Sequence, residues 1–180
     1  MAGPSRRQAI LEAAARVVED VGAAHLTIDA VASAAAVSKG GVLYHFPSKQ
    51  ALLEGMLQRL LVQMAERTAA CRDEHDGGNA ELIARIVAEH EQQPAERAMA
   101  RAILAAAAED PGLLTPARQE VQAAFDQAAA GSAPAAMGWV LLLAVEGLRF
   151  LEMLDLLPLS AAERRRLHAH LLQLARTHAA

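Results

Sequence analysis

One short stretch of the chain places a cation, a phenol, an imidazole and bare backbone side by side. Residues 39–45 read KGGVLYH, so Lys39, two adjacent glycines, Tyr44 and His45 fall within seven residues. Each glycine weakens a helix by about 1 kcal/mol relative to alanine, and each lets another molecule approach the backbone closely. This combination suits the major groove of a duplex and the phosphates that flank it.

Capping residues define the elements that must position this stretch. Thr27 is a good N-cap for a helix over residues 28–35, and Ser38 can cap a second short helix over residues 39–45. The spacing predicts two short helices joined by a tight turn.

A long third helix is predicted directly behind them. Pro47 blocks continuation of the second helix because it lacks an amide donor, and Ser48 can then cap a helix from Lys49. Leucine and methionine recur at spacings of three and four towards Arg72, which predicts an apolar stripe along this helix.

The stretch resembles the helix-turn-helix of the TetR family of one-component bacterial transcriptional regulators. Residues that match the family pattern in register are Thr27, Ala35, Val37, Ser38, Lys39, Gly40, Tyr44, His45, Phe46, Ser48, Lys49 and Leu52. The chain departs from the pattern at Ala36, where the family has a turn glycine, at Gly41, where threonine is common, and at Leu43, where tyrosine is common. An alanine in a left-handed turn costs on the order of 1 kcal/mol.

The motif and the resemblance together predict a surface that binds a double-stranded DNA operator. We expect the lysines to contact phosphates and the aromatic pair to contact the backbone or base edges. The predicted DNA-binding residues are Thr27, Ser38, Lys39, Gly40, Gly41, Tyr44, His45 and Lys49.

Composition predicts an all-α fold. The 180 residues are 53% hydrophobic but only 3% aromatic, and much of the apolar content is alanine, the best helix former. Breaks and caps along the chain indicate about nine helices. The expected division is a helix-turn-helix domain over residues 1–48 and an effector-binding and dimerisation domain over residues 49–180.

The last two helices are predicted to form a homodimer. Residues 137–157 are apolar nearly all round, and a capping box of Ser160 with Glu163 begins the final helix. Two copies of such a pair would form a four-helix interface about a two-fold axis. The predicted interface residues are Leu143, Phe150, Leu154, Leu167, Leu171 and Leu174.

The resemblance also implies relief of DNA binding by a small molecule that enters the second domain and shifts the long fourth helix. Few aromatic residues and many alanines favour a small hydrophobic effector in a modest apolar cavity. The candidate pocket residues are Met64, Ile86, His90, Met99, Ile103, Phe125, Met137 and Trp139.

Other function classes have little support in the sequence. The single cysteine and the spacing of the seven histidines do not suit a metal site, and no catalytic signature is present, so we expect no cofactor, no metal and no enzymatic activity. No apolar run reaches the ~18 residues that a membrane span needs, and no signal peptide is evident, so we expect a cytoplasmic protein.

Two functions remain open. The first is a homodimeric, ligand-relieved transcriptional repressor. The alternative, suggested by Ala36, Gly41 and Leu43, is a helical adaptor that binds a protein partner and has lost specific DNA binding. The net charge of −4 does not decide between them, because the first 50 residues carry five basic and four acidic side chains and are less acidic than the remainder.

Overall fold

The computed structural model describes residues 5–72, 77–89 and 94–180, and the described chain is almost entirely helical. The α-helices in these ranges are α1 Arg6–Val21, α2 Ile28–Ala34, α3 Lys39–His45, α4 Lys49–Arg72, α5 Ala80–Glu89, α6 Pro94–Ala107, α7 Thr115–Gly131, α8 Ala135–Met153 and α9 Ala161–Thr177. Short 3₁₀ turns lie at Ala23–His25 and Pro111–Leu114. The all-α fold with about nine helices is therefore confirmed.

The chain forms two compact units whose boundary differs from the expected one. The first unit contains residues 1–62 and 93–116, and the second contains residues 63–92 and 117–180. The boundary thus falls inside α4 rather than at its start, and α6 belongs to the first unit. The last leucine or methionine of the α4 stripe is Met64, just beyond this point.

In the first unit, α1 packs against both α2 and α6. A capping box begins α1, because the Ser5 hydroxyl accepts from the Gln8 amide while the Gln8 side chain accepts from the Ser5 amide. Phe46 is 2% exposed and fills the core. A Cβ at Gly55 of α4 would lie only 2.6 Å from the Phe46 ring, so this glycine leaves the space that the ring occupies.

In the second unit, α5, α8 and α9 pack around one hydrophobic core. Leu82 and Ile86 from α5, Leu141 and Leu142 from α8, and Ala175 from α9 are all buried there. Although α8 is very apolar, no helix within the described ranges is both long and apolar enough to cross a membrane.

One buried polar side chain connects three parts of the second unit. Asn79 is 2% exposed and precedes α5. Its Nδ2 donates to the Ala175 carbonyl of α9 at 2.7 Å, and its Oδ1 accepts from the Ser132 hydroxyl at 2.7 Å. The sequence predicts Asn79 only as an N-cap, so this tertiary role is additional.

Candidate nucleic-acid interface

Three hydroxyl caps fix the helices that carry the predicted DNA-binding residues on α2, α3 and the start of α4, here called the reading surface. Thr27 Oγ1 accepts from the Ala30 amide at 3.1 Å and begins α2. Ser38 Oγ accepts from the Gly41 amide at 3.0 Å, and Ser48 Oγ accepts from the Ala51 amide at 3.0 Å, at the starts of α3 and α4. Each cap satisfies one of the amides that a helix start leaves without an intrahelical partner.

In the turn between α2 and α3, an alanine in the left-handed conformation ends α2. Ala36 has φ 53°, the region that favours glycine. The Val37 amide donates to the Ala32 carbonyl at 3.0 Å, and the Ala36 amide donates to the Ser33 carbonyl at 3.2 Å. This pair of bonds is the Schellman motif, which sets the direction of α3. The turn therefore forms without the family's glycine.

The two sides of α3 differ sharply in exposure. Val42 is fully buried and anchors the helix, whereas Tyr44 is 85% exposed, far more than a core role would allow. His45 is half-buried and lies edge-to-face with Tyr44, with ring centroids 5.1 Å apart. Leu43, at a position where the family often has tyrosine, is also exposed.

No neighbouring atom lies so close to Gly40 or Gly41 that only glycine would fit there. A Cβ at Gly40 would meet only the Ser38 hydroxyl, at 3.9 Å, and a Cβ at Gly41 would have no contact closer than 3.4 Å. Gly55 is the contrasting case, because a Cβ there would collide with Phe46. A methyl group would therefore fit at both positions, in open surroundings at Gly40 and in ordinary contact with Ser38 and Val37 at Gly41.

The two predicted phosphate-binding lysines are both exposed but are held differently. Lys39 Nζ lies 2.9 Å from Asp29 Oδ2 of α2, in an ion pair that the sequence analysis missed. The two residues are ten apart in separate helices, so only the crossing of α2 and α3 brings them together. Lys49 is exposed at the first position of α4. The structure brings the predicted DNA-binding residues onto α2, α3 and the start of α4.

The predicted effector-pocket residues are distributed over both units. Met99 and Ile103 are buried in the first unit, whereas Ile86 is in the core of the second, where Phe125 and Met137 pack against it. Trp139 is 46% exposed on α8. His90 lies outside the described residues.

Met64 lies among both polar and apolar side chains. It lines a small cavity of about 20 Å³ in the second unit, together with Arg67, Thr68, Arg85, Ala88, Val145 and Glu146. The Arg149 guanidinium donates to the Met64 sulfur at 3.1 Å and pairs with the Glu146 carboxylate. This space holds about one water molecule and not an organic ligand.

A larger cleft lies in the first unit. Its volume is about 410 Å³, within the range of small-molecule sites. Its apolar lining consists of alanines from α6 and the Ala23–His25 turn and of three leucines. Its polar lining residues are Lys49, Gln50, Glu109 and Asp110. None of the predicted pocket residues lines this cleft.

The predicted dimer residues divide between surface and core. Leu143 and Phe150 are 58% and 50% exposed, while Leu167 and Leu174 are half-buried against the core of their own unit. Leu154 is half-buried at the end of α8. Leu171 is only 5% exposed in the single chain and is a core residue of the second unit.

The exposed apolar residues of α8 form a continuous face, here called the α8 face. The sequence assigned Trp139 to the pocket, but the structure places it here. The members of the α8 face are Trp139, Val140, Leu143, Gly147, Phe150 and Leu151. Their spacing of three and four residues puts them on one side of the helix. No group of three His, Cys, Asp or Glu side chains in the described part of the chain is arranged to hold a metal ion.

Two family descriptions match this chain. Residues 10–56 match "Bacterial regulatory proteins, tetR family", and residues 79–176 match "Tetracyclin repressor-like, C-terminal domain". The first range covers the reading surface described above, and the second covers most of the second unit together with α6.

Among curated proteins, the chain is 33% identical over 69 residues to the HTH-type transcriptional regulators BetI 2 and BetI 1 of Chromohalobacter salexigens. The match to BetI 2 covers 38% of this chain and about a third (33%) of the relative, so it does not extend over the relative's whole length.

Solved structures match over nearly the full chain. A TetR-family member from Streptomyces coelicolor A3 is 26% identical with a TM-score of 0.71, over 93% of this chain and 98% of that one. The multidrug binding protein EbrR, in complex with malachite green, is 26% identical with a TM-score of 0.70, over 95% and 98% of the two chains.

Proposed function

This chain belongs to the TetR family of bacterial regulatory proteins, and on that basis we propose that it is a homodimeric transcriptional repressor that a small molecule releases from its DNA operator. The observation that carries the DNA-binding role is the outer side of α3. A capped seven-residue helix presents bare backbone at exposed Gly40 and half-buried Gly41, beside a phenol that is 85% exposed. None of these groups serves the core, and all of them suit a groove and its phosphates.

Dimerisation supplies the second reading surface. The α8 face exposes large apolar side chains that a monomer would leave in water, and burying them against a second copy is favourable. Two α3 helices about a two-fold axis would read half-sites one helical turn, or a multiple of it, apart. We therefore expect an operator with pseudo-palindromic sequence.

The DNA-binding role is tested by titrating labelled duplexes with the purified protein. The probes are the DNA upstream of the chain's own coding region and a scrambled duplex of equal length. Lys49→Ala should weaken binding to both alike and reduce the slope of log affinity against log salt by about one, because one phosphate contact is lost. Arg118→Ala removes an exposed cation of α7 and is the matched control, which should leave both affinities unchanged.

Two outcomes would contradict these assignments. If scrambled-duplex affinity and its salt slope were unaffected by Lys49→Ala, the phosphate contact would be wrong. If the wild-type protein preferred no sequence, even from a random duplex library, the adaptor alternative would be favoured. In that case the α8 face would be available to a protein partner.

A small apolar molecule is the proposed effector. EbrR has been crystallised with malachite green, a compound that therefore serves as a first probe. The cleft in the first unit could accommodate such a molecule by volume, and Lys49 at its edge is also a proposed DNA contact. Occupancy of the cleft would therefore place the molecule beside a residue that we propose to bind phosphate.

Malachite green should lower the affinity for the selected duplex, and Ala105→Phe, which fills the cleft from an exposed position of α6, should abolish that effect. Ala108→Phe places the same ring at a nearby exposed position that does not line the cleft, and should leave the effect intact. If malachite green still lowered duplex affinity in the Ala105→Phe variant, the effector would have to bind outside this cleft.

A further inference from the structure

Leu43 is an exposed apolar residue of α3. It is 37% exposed and lies between buried Val42 and Tyr44, which is 85% exposed. At about 100° per residue, Tyr44 points nearly opposite to Val42, and Leu43 points between these two directions. One part of the leucine is therefore covered by the protein, and the other part faces solvent beside the phenol.

The space next to Leu43 is open at Gly40. Leu43 follows Gly40 by three residues and Lys39 by four, and a helical side chain leans towards the preceding turn. Leu43 nevertheless does not fill the place of the missing side chain, because a Cβ at Gly40 would meet only Ser38 Oγ, at 3.9 Å. A base edge that approached the backbone at Gly40 would therefore have the leucine at its side.

The chemistry of leucine limits what this side chain can recognise in a duplex. It has no hydrogen-bond donor or acceptor, so it cannot bind a phosphate or the polar groups of a base edge. Tyrosine, which is common at this position in the family, has a hydroxyl that can bind a phosphate of any sequence. The C5-methyl group of thymine is the apolar group that base edges present in the major groove, and it is the group that suits Leu43.

We propose that Leu43 is a specificity-determining residue that contacts the methyl group of one thymine in each half-site of the operator. The inference rests on the proposed DNA-binding function. The contact removes apolar surface of both partners from water, which stabilises the operator complex. At any other base the methyl group is absent, and the polar groups of the base edge gain no hydrogen bond from leucine. Leu43 therefore stabilises the operator complex more than complexes with most other duplexes.

Replacing thymine by deoxyuridine tests the proposal, because this change removes the methyl group and keeps the base pair. The parent duplex is the tightest one that the wild-type protein selects from a random library, and each thymine is replaced singly. At one thymine of each half-site, the replacement should lower wild-type affinity roughly fourfold, equal to about 0.8 kcal/mol for one methyl-sized group. In Leu43→Ala, the same replacement should leave affinity nearly unchanged, because the contacting side chain is gone.

Three further variants separate contact from folding. Leu43→Gln keeps the aliphatic stem and ends in an amide, so it should also lose the sensitivity to the methyl group. Leu43→Met conserves volume and apolar character and should retain it. Val21→Ala shortens an apolar side chain that is 55% exposed at the end of α1, outside the reading surface, and should leave the response to every thymine as in wild type. Circular dichroism and melting of each variant establish that α3 remains folded.

The same response to every thymine in wild type, Leu43→Ala and Leu43→Gln would overturn the proposal. A methyl effect that is lost in Tyr44→Ala but kept in both Leu43 variants would overturn it as well, since the phenol would then make the contact. Failure of the proposed function is a separate result. In that case the wild-type protein would select no duplex from the library, and the role of Leu43 would fall with the function.

Discussion

Gly40 and Gly41 are residues whose cost to folding has no compensation inside the protein. Each lowers the stability of α3 by about 1 kcal/mol relative to alanine. A methyl group at either position would meet no atom closer than 3.4 Å, so packing does not explain them. If close approach by DNA is the reason, stability and binding must respond in opposite directions to the same substitution.

Gly40→Ala and Gly41→Ala are each expected to raise the free energy of unfolding by about 1 kcal/mol and to weaken duplex binding. Chemical denaturation measures the first effect, and fluorescence anisotropy with a labelled duplex measures the second. A variant that gains stability and binds DNA as well as wild type does would show that the open space over α3 is not used by the duplex.

Ala36→Gly is the matched control within the same motif. It relieves a left-handed alanine at φ 53°, so it should also gain about 1 kcal/mol of stability. Because it changes no atom on the outer side of α3, duplex affinity should stay as in wild type. Comparing Ala36→Gly with the two glycine-to-alanine variants distinguishes two causes of weaker binding. One is the added methyl group on α3, and the other is the higher stability of the motif.

At the scale of helices, Asn79 holds the ends of several elements together. The Ala175 carbonyl lies in the last turn of α9, where helix carbonyls lack intrahelical partners, and Asn79 supplies the donor. The Ser132 hydroxyl, 6% exposed as a residue, depends on the same side chain as its acceptor. Removing the amide would leave two buried groups unsatisfied at once.

Asn79→Ala should therefore destabilise the chain by about 2–4 kcal/mol, since each unpaired buried group costs about 1–3 kcal/mol. Ser132→Ala removes only one of the two bonds and should cost less. Urea denaturation of both variants checks the order. A cost for Asn79→Ala no larger than that for Ser132→Ala would contradict a role for the bond to Ala175.

The cap of α9 gives stability a pH dependence. The Ser160 hydroxyl, and then its backbone amide, hydrogen-bond to the Glu163 carboxylate and hold the pKa of that group below its usual value. A carboxyl whose folded pKa is lowered stabilises the fold above its unfolded pKa, and this stabilisation is lost as pH falls through the folded pKa.

Glu163→Gln keeps a hydrogen-bonding side chain but removes the charge. Wild type should therefore melt at a higher temperature than this variant near neutral pH, and the difference should shrink as the solution becomes acidic. Glu120→Gln, at an exposed position of α7, is the control for an unpaired change of charge. A difference in melting temperature that stayed constant down to low pH would mean that the charge of Glu163 does not contribute.

Local signals made much of this architecture predictable. Thr27, Ser38, Ser48 and the two capping boxes act within three residues of their partners, so sequence spacing is enough to identify them. The outer side of α3 could be predicted for the same reason, because the face opposite buried Val42 follows from helical periodicity.

Contacts between separate helices could not be predicted from the sequence. An apolar stripe shows that a helix packs but not on what, so neither the break of the units within α4 nor the packing of α6 on α1 was evident. For the same reason, spacing alone did not show that Leu171 is buried in the core of its own unit. Likewise, the pairing of Asp29 with Lys39 depends on how α2 and α3 cross, and the split of the predicted pocket residues depends on where α6 lies.

At the scale of the whole molecule, the proposed DNA reading by α3 would need a second copy. A seven-residue helix reaches few base pairs, so one reading surface has limited affinity and little specificity. Joining two surfaces makes the second contact intramolecular, which raises apparent affinity by about 10²–10⁴ when the geometry allows both to bind. The α8 face is the proposed dimer interface, since its large apolar side chains are exposed in the single chain.

Leu143→Glu should convert the dimer to a monomer. The side chain is 58% exposed in the single chain, so the fold tolerates a charge there, but burial of that charge without a partner opposes association. Native mass spectrometry reports the mass. The single tryptophan reports the contact itself, because Trp139 lies on the same face and its emission should shift to longer wavelength on exposure to water.

Val121→Glu introduces the same charge at an apolar position of α7 that is 49% exposed and outside the α8 face, so it should remain dimeric. Affinity for a selected palindromic duplex should fall about 10²-fold or more in Leu143→Glu and stay unchanged in Val121→Glu. Affinity for a single half-site should be equal in both, because α3 itself is untouched. If the Leu143→Glu protein remained dimeric, the dimer interface would lie outside the α8 face. If it were a monomer with undiminished affinity for the palindromic duplex, one copy alone would be enough to bind the operator.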